Sequence, residues 1–235
     1  MDRFEQPAWI SATTAESGIR ERAFFRSVYA WMSGGLLLTA LASLWVVMSA
    51  PMQALLFQNR SVMWILLIAE LGLVFGLSAA IQRLSPAAAA SMFLVFSLLN
   101  GLSLSAIFFV YTTGSIVQAF VAAGGMFAAM SVYGMFTKRD LTSWGSFFFM
   151  GLIGIVICSL VNIFLRSSGL SFVISVVGVF VFVGLTAWDT QKLKSYARVE
   201  GGMRENLAII GALALYLDFI NLFLMLLRLF GGRRE

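Results

Sequence analysis

The stretch Ala208–Gly231, AIIGALALYLDFINLFLMLLRLFG, decides the fold. It is long enough to cross a hydrocarbon core of about 30 Å as a helix, which takes roughly 20 apolar residues. Asp218 sits in its middle, where an ionised carboxylate costs at least about 2.5 kcal/mol even on lenient insertion scales. The nearest cation on the stretch, Arg228, is ten residues along, about 15 Å away at ~1.5 Å per residue. Something other than a neighbouring arginine has to compensate Asp218.

The rest of the chain is built from similar material. Hydrophobic residues make up 60% of the 235 and charged residues 11%, and the mean hydropathy is +0.91. These values lie outside the range of soluble domains and identify a polytopic membrane protein embedded in a lipid bilayer. The net charge of +5 does not point to nucleic acid, because the basic residues stand singly at span ends, where they orient the chain. No nucleic-acid partner is expected. Histidine is absent, which removes imidazole as metal ligand, general base or pH sensor. Any response to pH near neutrality must come from carboxylates. The single Cys158 lies inside an apolar segment and reads as a small buried hydrophobe, with no disulfide framework.

Residues 1–22 read as a polar tail, with Glu16 to Arg26 as a candidate interfacial helix. Seven spans follow in a transmembrane domain over 23–232, before a basic tail at 233–235. They cover about Ala23–Ala50, stopping at Pro51; Ser61–Ile81, with Glu70 near its midpoint; Pro86–Tyr111; Ser115–Phe136; Trp144–Leu165; Leu170–Trp188, with Asp189 just at its end; and the opening stretch, after a connection Thr190–Asn206. The fold class is therefore all-α, an integral membrane protein of seven transmembrane helices. With the amino terminus in the cytoplasm, eleven Lys and Arg fall inside and Arg60, Arg166, Arg228, Arg233 and Arg234 outside, which favours that orientation. The three arginines at the carboxyl end oppose it, so six crossings plus one partial one stay open. Gly72 and Gly76 form a GxxxG pair, and Gly34–Gly35, Gly124–Gly125 and Gly151–Gly154 are similar small patches, read as helix-packing sites.

Three carboxylates thus lie in or against the membrane: Glu70, Asp189 and Asp218. Asn221 follows Asp218 by three residues and shares its helical face; Asn100, Ser103 and Asn162 are candidates to line a common interior. For each neutral side chain, interhelical hydrogen bonding worth ~0.6 kcal/mol is the simpler reading. Asp189 has two readings, a solvated helix end beside Lys192 and Lys194 or half of a buried pair. If spans six and seven are antiparallel neighbours, Asp189 and Asp218 approach each other without a matching cation. Such a pair tends to hold one shared proton. Protonated, it clasps the helices; deprotonated, it repels itself or accepts a hard cation such as Ca2+, whose preferred ligands are oxygens.

The segments Thr186-Ala-Trp-Asp-Thr-Gln-Lys192 and Leu215-Tyr-Leu-Asp-Phe-Ile-Asn-Leu-Phe223, with the loop Thr137-Lys-Arg-Asp-Leu141, resemble the Bax inhibitor-1 family in its bacterial inner-membrane branch. The resemblance runs from about Tyr29 to Gly232. It implies a seven-helix fold with the last helix central, a multi-pass location in the bacterial inner membrane, a calcium leak activity and a di-aspartyl pH sensor, carried onto Asp189 and Asp218 as sensor and metal ligands. It also implies an acid and an arginine on the second helix with a part in the pore or its gating. Glu70 matches the acid, and Arg83 stands slightly out of the expected spacing for the arginine; Asn221 joins them as a candidate. No cofactor is expected besides Ca2+ as bound or transported ion.

The function expected is a pH-sensitive calcium or cation leak channel or transporter. The alternative is a regulatory membrane protein that binds and modulates another, such as an ATP-dependent membrane protease. No enzyme activity is expected. Zinc proteases and serine–histidine hydrolases need a histidine the chain lacks, and Asp218 is preceded by Tyr216-Leu217 rather than the Gly-x-Gly of an intramembrane aspartyl protease.

Overall fold

The protein, as a computed structural model, is described over residues 8–199, 201, 203–232 and 234, with side chains from Gly18 onward except at 60. Arg3, Glu200 and Arg233, together with residues 1–7 of the expected polar tail, lie outside the described residues. The helices are α1 (Ala8–Met48), α2 (Ala50–Gln53, running on as a wide turn over Ala54–Gln58), α3 (Arg60–Ala80), α4 (Pro86–Leu104), α5 (Ile107–Val110), α6 (Thr113–Phe136), α7 (Thr142–Leu165), α8 (Ser168–Ala197) and α9 (Met203–Phe230). Among the described residues seven segments are long and apolar enough to cross a membrane: α1, α3, α4 with α5, α6, α7, α8 and α9.

Short polar side chains set the helix starts. Asn59, Ser85, Thr112 and Ser167 each accept a backbone N–H of the first turn of α3, α4, α6 and α8, satisfying donors that have no partner within a helix. Pro86 follows Ser85 at the first position of α4, where a missing N–H is harmless. The α7–α8 connection is tight because Arg166 takes a left-handed conformation (φ 50°) and Asn162 accepts from the Ser167 N–H. Asn162 also donates to Ser171, so it serves this turn and not the bundle interior.

α9 is the axis of the bundle. It packs against α1, α3, α4, α6 and α8, and its buried residues, from Asn206 to Leu227, point in every direction around it, as expected of a helix that is apolar on all sides. α7 is the opposite case. It packs mainly against α8 and leaves Phe147, Met150, Ile153, Ile157 and Leu160 exposed, a surface suited to lipid. Cys158 belongs to that outward face and is exposed, contrary to the expected buried position.

Four other expectations need correction. Asp189 is not at a helix end: α8 runs on through Ala197, because Gln191, Lys192, Leu193 and Lys194 are good helix formers whose polarity does not interrupt the backbone. The connection from Thr190 to Asn206 shrinks accordingly to the few residues between Ala197 and Met203. α1 already begins at Ala8, so most of the expected polar tail is helical. The GxxxG pair is not a tight interface, since nothing lies within 4 Å of a Cβ built on Gly72, and Gly76 meets only the end of Met92 at 3.4 Å. Close approach occurs instead at Gly101, where a Cβ would strike the backbone of Thr39, and at Gly134, where it would strike the carbonyl of Ala187.

The ends of α9 decide between seven crossings and six. Near its start, Asn206 donates to the carbonyls of Ile81 and Leu84 at the end of α3 (2.9 and 2.8 Å). Past its end, the Thr112 N–H donates to the Gly232 carbonyl (3.0 Å) and the Arg234 N–H to that of Val110 (3.0 Å), while the Gly232 N–H reaches Ser115 (2.9 Å). These anchors lie at opposite ends of the bundle, so α9 crosses completely.

Gly134→Ala or Gly101→Ala is therefore expected to lower the thermal unfolding temperature of the detergent-purified protein, at a cost of roughly 1–3 kcal/mol for forcing packed backbones apart. Gly72→Ala should leave it nearly unchanged.

Candidate functional site

α8 and α9 are neighbours whose register is set by small residues. A Cβ on Gly178 would meet Met225 and one on Gly211 would meet Leu193, so the two helices run antiparallel and in close contact. This register brings the carboxyl groups of Asp189 and Asp218 within hydrogen-bonding reach of each other. Asp218 is 5% exposed, and its Oδ2 has no hydrogen-bond partner. Asp189 is half-buried. The pair is not free of cations as expected from sequence: Lys192, three residues on, acts on the Asp189 charge while its ammonium lies 5.0 Å from the Trp188 ring and 5.7 Å from that of Tyr196. The neighbour acting on Asp218 is the Asp189 carboxylate itself.

Two more oxygen atoms without partners belong to the contact between α8 and α6. The Thr190 hydroxyl and, on α6, the Ser131 hydroxyl are buried and unbonded. Gly134 of α6 rests against Ala187 and Thr190, and Ser131, three residues earlier, shares that face of α6. Among the described residues no group of three or more His, Cys, Asp or Glu could hold a metal ion. What the α8–α9 seam offers a hard cation is the oxygens of two carboxylates.

Glu70 is in a different cluster. It is 8% exposed and accepts from the Asn100 amide (3.0 Å) and the Ser103 hydroxyl. Asn100 is bonded in turn to the Tyr216 hydroxyl (2.9 Å), Tyr216 to Thr39 (2.6 Å), and Thr39 to the Ser97 carbonyl (2.8 Å). The chain joins α3, α4, α9 and α1. Tyr216, fully buried, and Asp218 are two residues apart, about 200° round a helix, so α9 stands between the two polar clusters.

The other candidates are placed elsewhere. Arg83 is exposed in the turn after α3 and makes no bond to either aspartate. Asn221 turns back to donate to the Leu217 carbonyl of its own helix (2.8 Å). Thr186 likewise bonds its own helix, at Phe182. Gln191 holds the α6–α7 loop, accepting from the Leu141 N–H (2.8 Å) and donating to the Arg139 carbonyl (2.8 Å). In that loop Asp140 accepts from both the N–H and the hydroxyl of Thr142, and these bonds hold its carboxyl below the usual carboxylate range. Sequence reasoning overlooked Tyr216 and Thr39 as members of a polar cluster; the signal available was a tyrosine in mid-span, whose hydroxyl needs a partner when buried.

The sequence pattern of the family described as "Inhibitor of apoptosis-promoting Bax1" matches residues 21–235. The chain is 50% identical to "Inner membrane protein YbhL" of Escherichia coli strain K12, over 100% of both chains. It is 44% identical to an "Uncharacterized protein" of Borreliella burgdorferi, covering 90% of this chain and 93% of that one. It is 39% identical to an "Uncharacterized membrane protein" of Streptococcus pyogenes serotype M1, covering 93% and 96%. With seven spanning helices, the chain is a multi-pass inner-membrane protein.

Gln191→Ala should release the α6–α7 loop, read as faster hydrogen exchange at Leu141 with the bundle unchanged. The Asp140 cap behaves differently with pH. A carboxyl depressed by folding stabilises above its unfolded value and loses that contribution only as pH falls through the folded one. Asp140→Asn should therefore alter behaviour in strong acid and leave any transition near neutral pH in place.

Proposed function

That the chain belongs to the Bax inhibitor-1 family is the premise from which we propose that it forms a pH-sensitive leak pathway for cations. Ca2+ is the favoured ion, and Asp189 and Asp218 serve as proton sensor and ion ligands. The observation that carries this reading is the Asp218 carboxyl: it is buried in a spanning helix, with one oxygen unbonded and only another carboxyl beside it to share a proton. With one proton between them the two groups hydrogen-bond and hold α8 against α9. Without it they repel, or they take up a hard cation, which prefers oxygen ligands. Lys192, which acts on the Asp189 charge, makes the two positions unequal and leaves Asp218 the more dependent on a proton or an ion.

The sign follows from this arrangement. Flux should rise as pH rises through the titration of the pair, because deprotonation both opens the clasp and creates the ligand.

Ca2+ flux measured in proteoliposomes across pH is expected to follow a steep profile for the wild type. Asp218→Asn should flatten it, and Asp189→Asn should flatten or displace it. A pH profile unchanged by Asp218→Asn would sink the proposal. Absence of flux, together with a membrane protease that co-purifies with both variants, would favour modulation of a partner protein instead.

A further inference from the structure

The Glu70 cluster contains a miscount of hydrogens. Three short contacts join Thr39 Oγ1 to the Ser97 carbonyl (2.8 Å), Thr39 to Tyr216 (2.6 Å) and Tyr216 to Asn100 Oδ1 (2.9 Å). Each needs one hydrogen between its two oxygens. Thr39 and Tyr216 have one hydroxyl hydrogen apiece, and Asn100 Oδ1 has none. With the Asn100 carbonyl toward Tyr216, one of the three contacts is oxygen against oxygen with nothing between.

Turning the Asn100 amide by half a revolution repairs the count without moving a heavy-atom position, since the two ends of an amide have nearly the same shape. The amide nitrogen then donates to Tyr216, Tyr216 to Thr39, and Thr39 to the Ser97 carbonyl. Every hydrogen in that half of the chain is used once. The cost appears at the other end, where Asn100 Oδ1 now faces Glu70 Oε2 at the 3.0 Å separation that an N–H had spanned. Ser103 donates its hydroxyl to Glu70 Oε1 and keeps its own lone pairs available to a ligand. Two acceptor oxygens as close as Asn100 Oδ1 and Glu70 Oε2 repel each other unless positive charge sits against them.

Among the described residues no lysine or arginine is bonded to Glu70 to supply that charge, and the four groups in the chain with it are neutral. We propose that Glu70, Asn100 and Ser103 form a binding site for a single small monovalent cation, Na+, held by oxygen atoms, with Tyr216 and Thr39 fixing the Asn100 amide in the turned orientation. A single carboxylate selects the valence: one positive charge leaves the buried cluster neutral, whereas a divalent ion would leave an uncompensated charge in a medium that penalises it. The site goes beyond the calcium pathway and does not depend on it, because α9 separates the cluster from the Asp189–Asp218 pair.

The test is the unfolding temperature of the full-length protein in detergent, titrated with NaCl against choline chloride at matched ionic strength. Wild type and Asp218→Asn should both show a saturable rise with Na+. Glu70→Gln should fold and show none, because the glutamine amide donates to Asn100 Oδ1 and completes the chain without an ion. Ser103→Ala should weaken the apparent Na+ affinity about ten-fold, as for the loss of roughly 1.4 kcal/mol. No Na+ dependence in the wild type, or one that survives Glu70→Gln, would overturn the site; stabilisation by acid with none by Na+ would overturn it in favour of a proton. A Na+ effect lost in Asp218→Asn would move the ion to the aspartate pair and overturn it too. Failure of the calcium reading shows separately, as a pH-independent flux with Na+ stabilisation intact.

Discussion

A helix enclosed on all sides cannot send a polar group to water. α9 is such a helix, and besides Asn206 near its start it brings the Tyr216 hydroxyl and the Asp218 carboxyl into the interior. In a lipid-embedded protein each must find its partner inside the bundle, because an unbonded polar group in an apolar medium costs several kcal/mol. The neighbouring helices can be understood as answers to that demand. On one side α1, α3 and α4 supply Thr39, Glu70 and Asn100 to the tyrosine; on the other α8 brings Asp189 to the aspartate. The glycines that permit close approach stand on these seams: Gly101 lets α1 lie against α4, and Gly134 lets α6 lie against α8.

The two demands are met unequally. Tyr216 is bonded to Thr39 and Asn100, a neutral network that fixes the rotation of α9. Asp218 retains an unbonded oxygen. A buried carboxyl with an unbonded oxygen has unused capacity for a proton or an ion. The α8 side of the axis thus carries that oxygen, and the α4 side carries the bonds that anchor Tyr216.

Much of this was legible in the sequence because charges in apolar runs are expensive. Seven spans and the buried positions of Asp218 and Glu70 follow from that cost alone, and Asn100 and Ser103 stood out as polar groups needing an interior. The limits of α8 were harder to read. A run such as Thr190–Lys194 turns polar where a helix leaves the hydrocarbon, but leaving hydrocarbon does not end a helix. Packing partners were harder still. Gly72 and Gly76 have the spacing of an interface and Cys158 the neighbours of a core residue, yet Gly72 has open space, Gly76 meets only the end of Met92 and Cys158 is exposed, because which face of a span meets protein depends on the whole arrangement. Tyr216 escaped for a related reason: a tyrosine within an aromatic-rich span looks like any other ring until its hydroxyl is seen to join α9 to α1 and α4.

The anchors at the two ends of α9 bear on how the protein can move. Asn206 ties one end to the end of α3, and the Gly232–Arg234 segment is laced to the turn before α6 at the other. A rod clamped at both ends cannot act as a piston. It can twist or bow between its clamps, and since neighbouring residues on a helix differ by about 100°, a modest torsion would turn Asp218 away from Asp189 while dragging Tyr216 across the α4 face. Twisting is therefore the motion that Tyr216 restrains: its bonds to Thr39 and Asn100 hold the shaft at the angle that keeps Asp218 against Asp189.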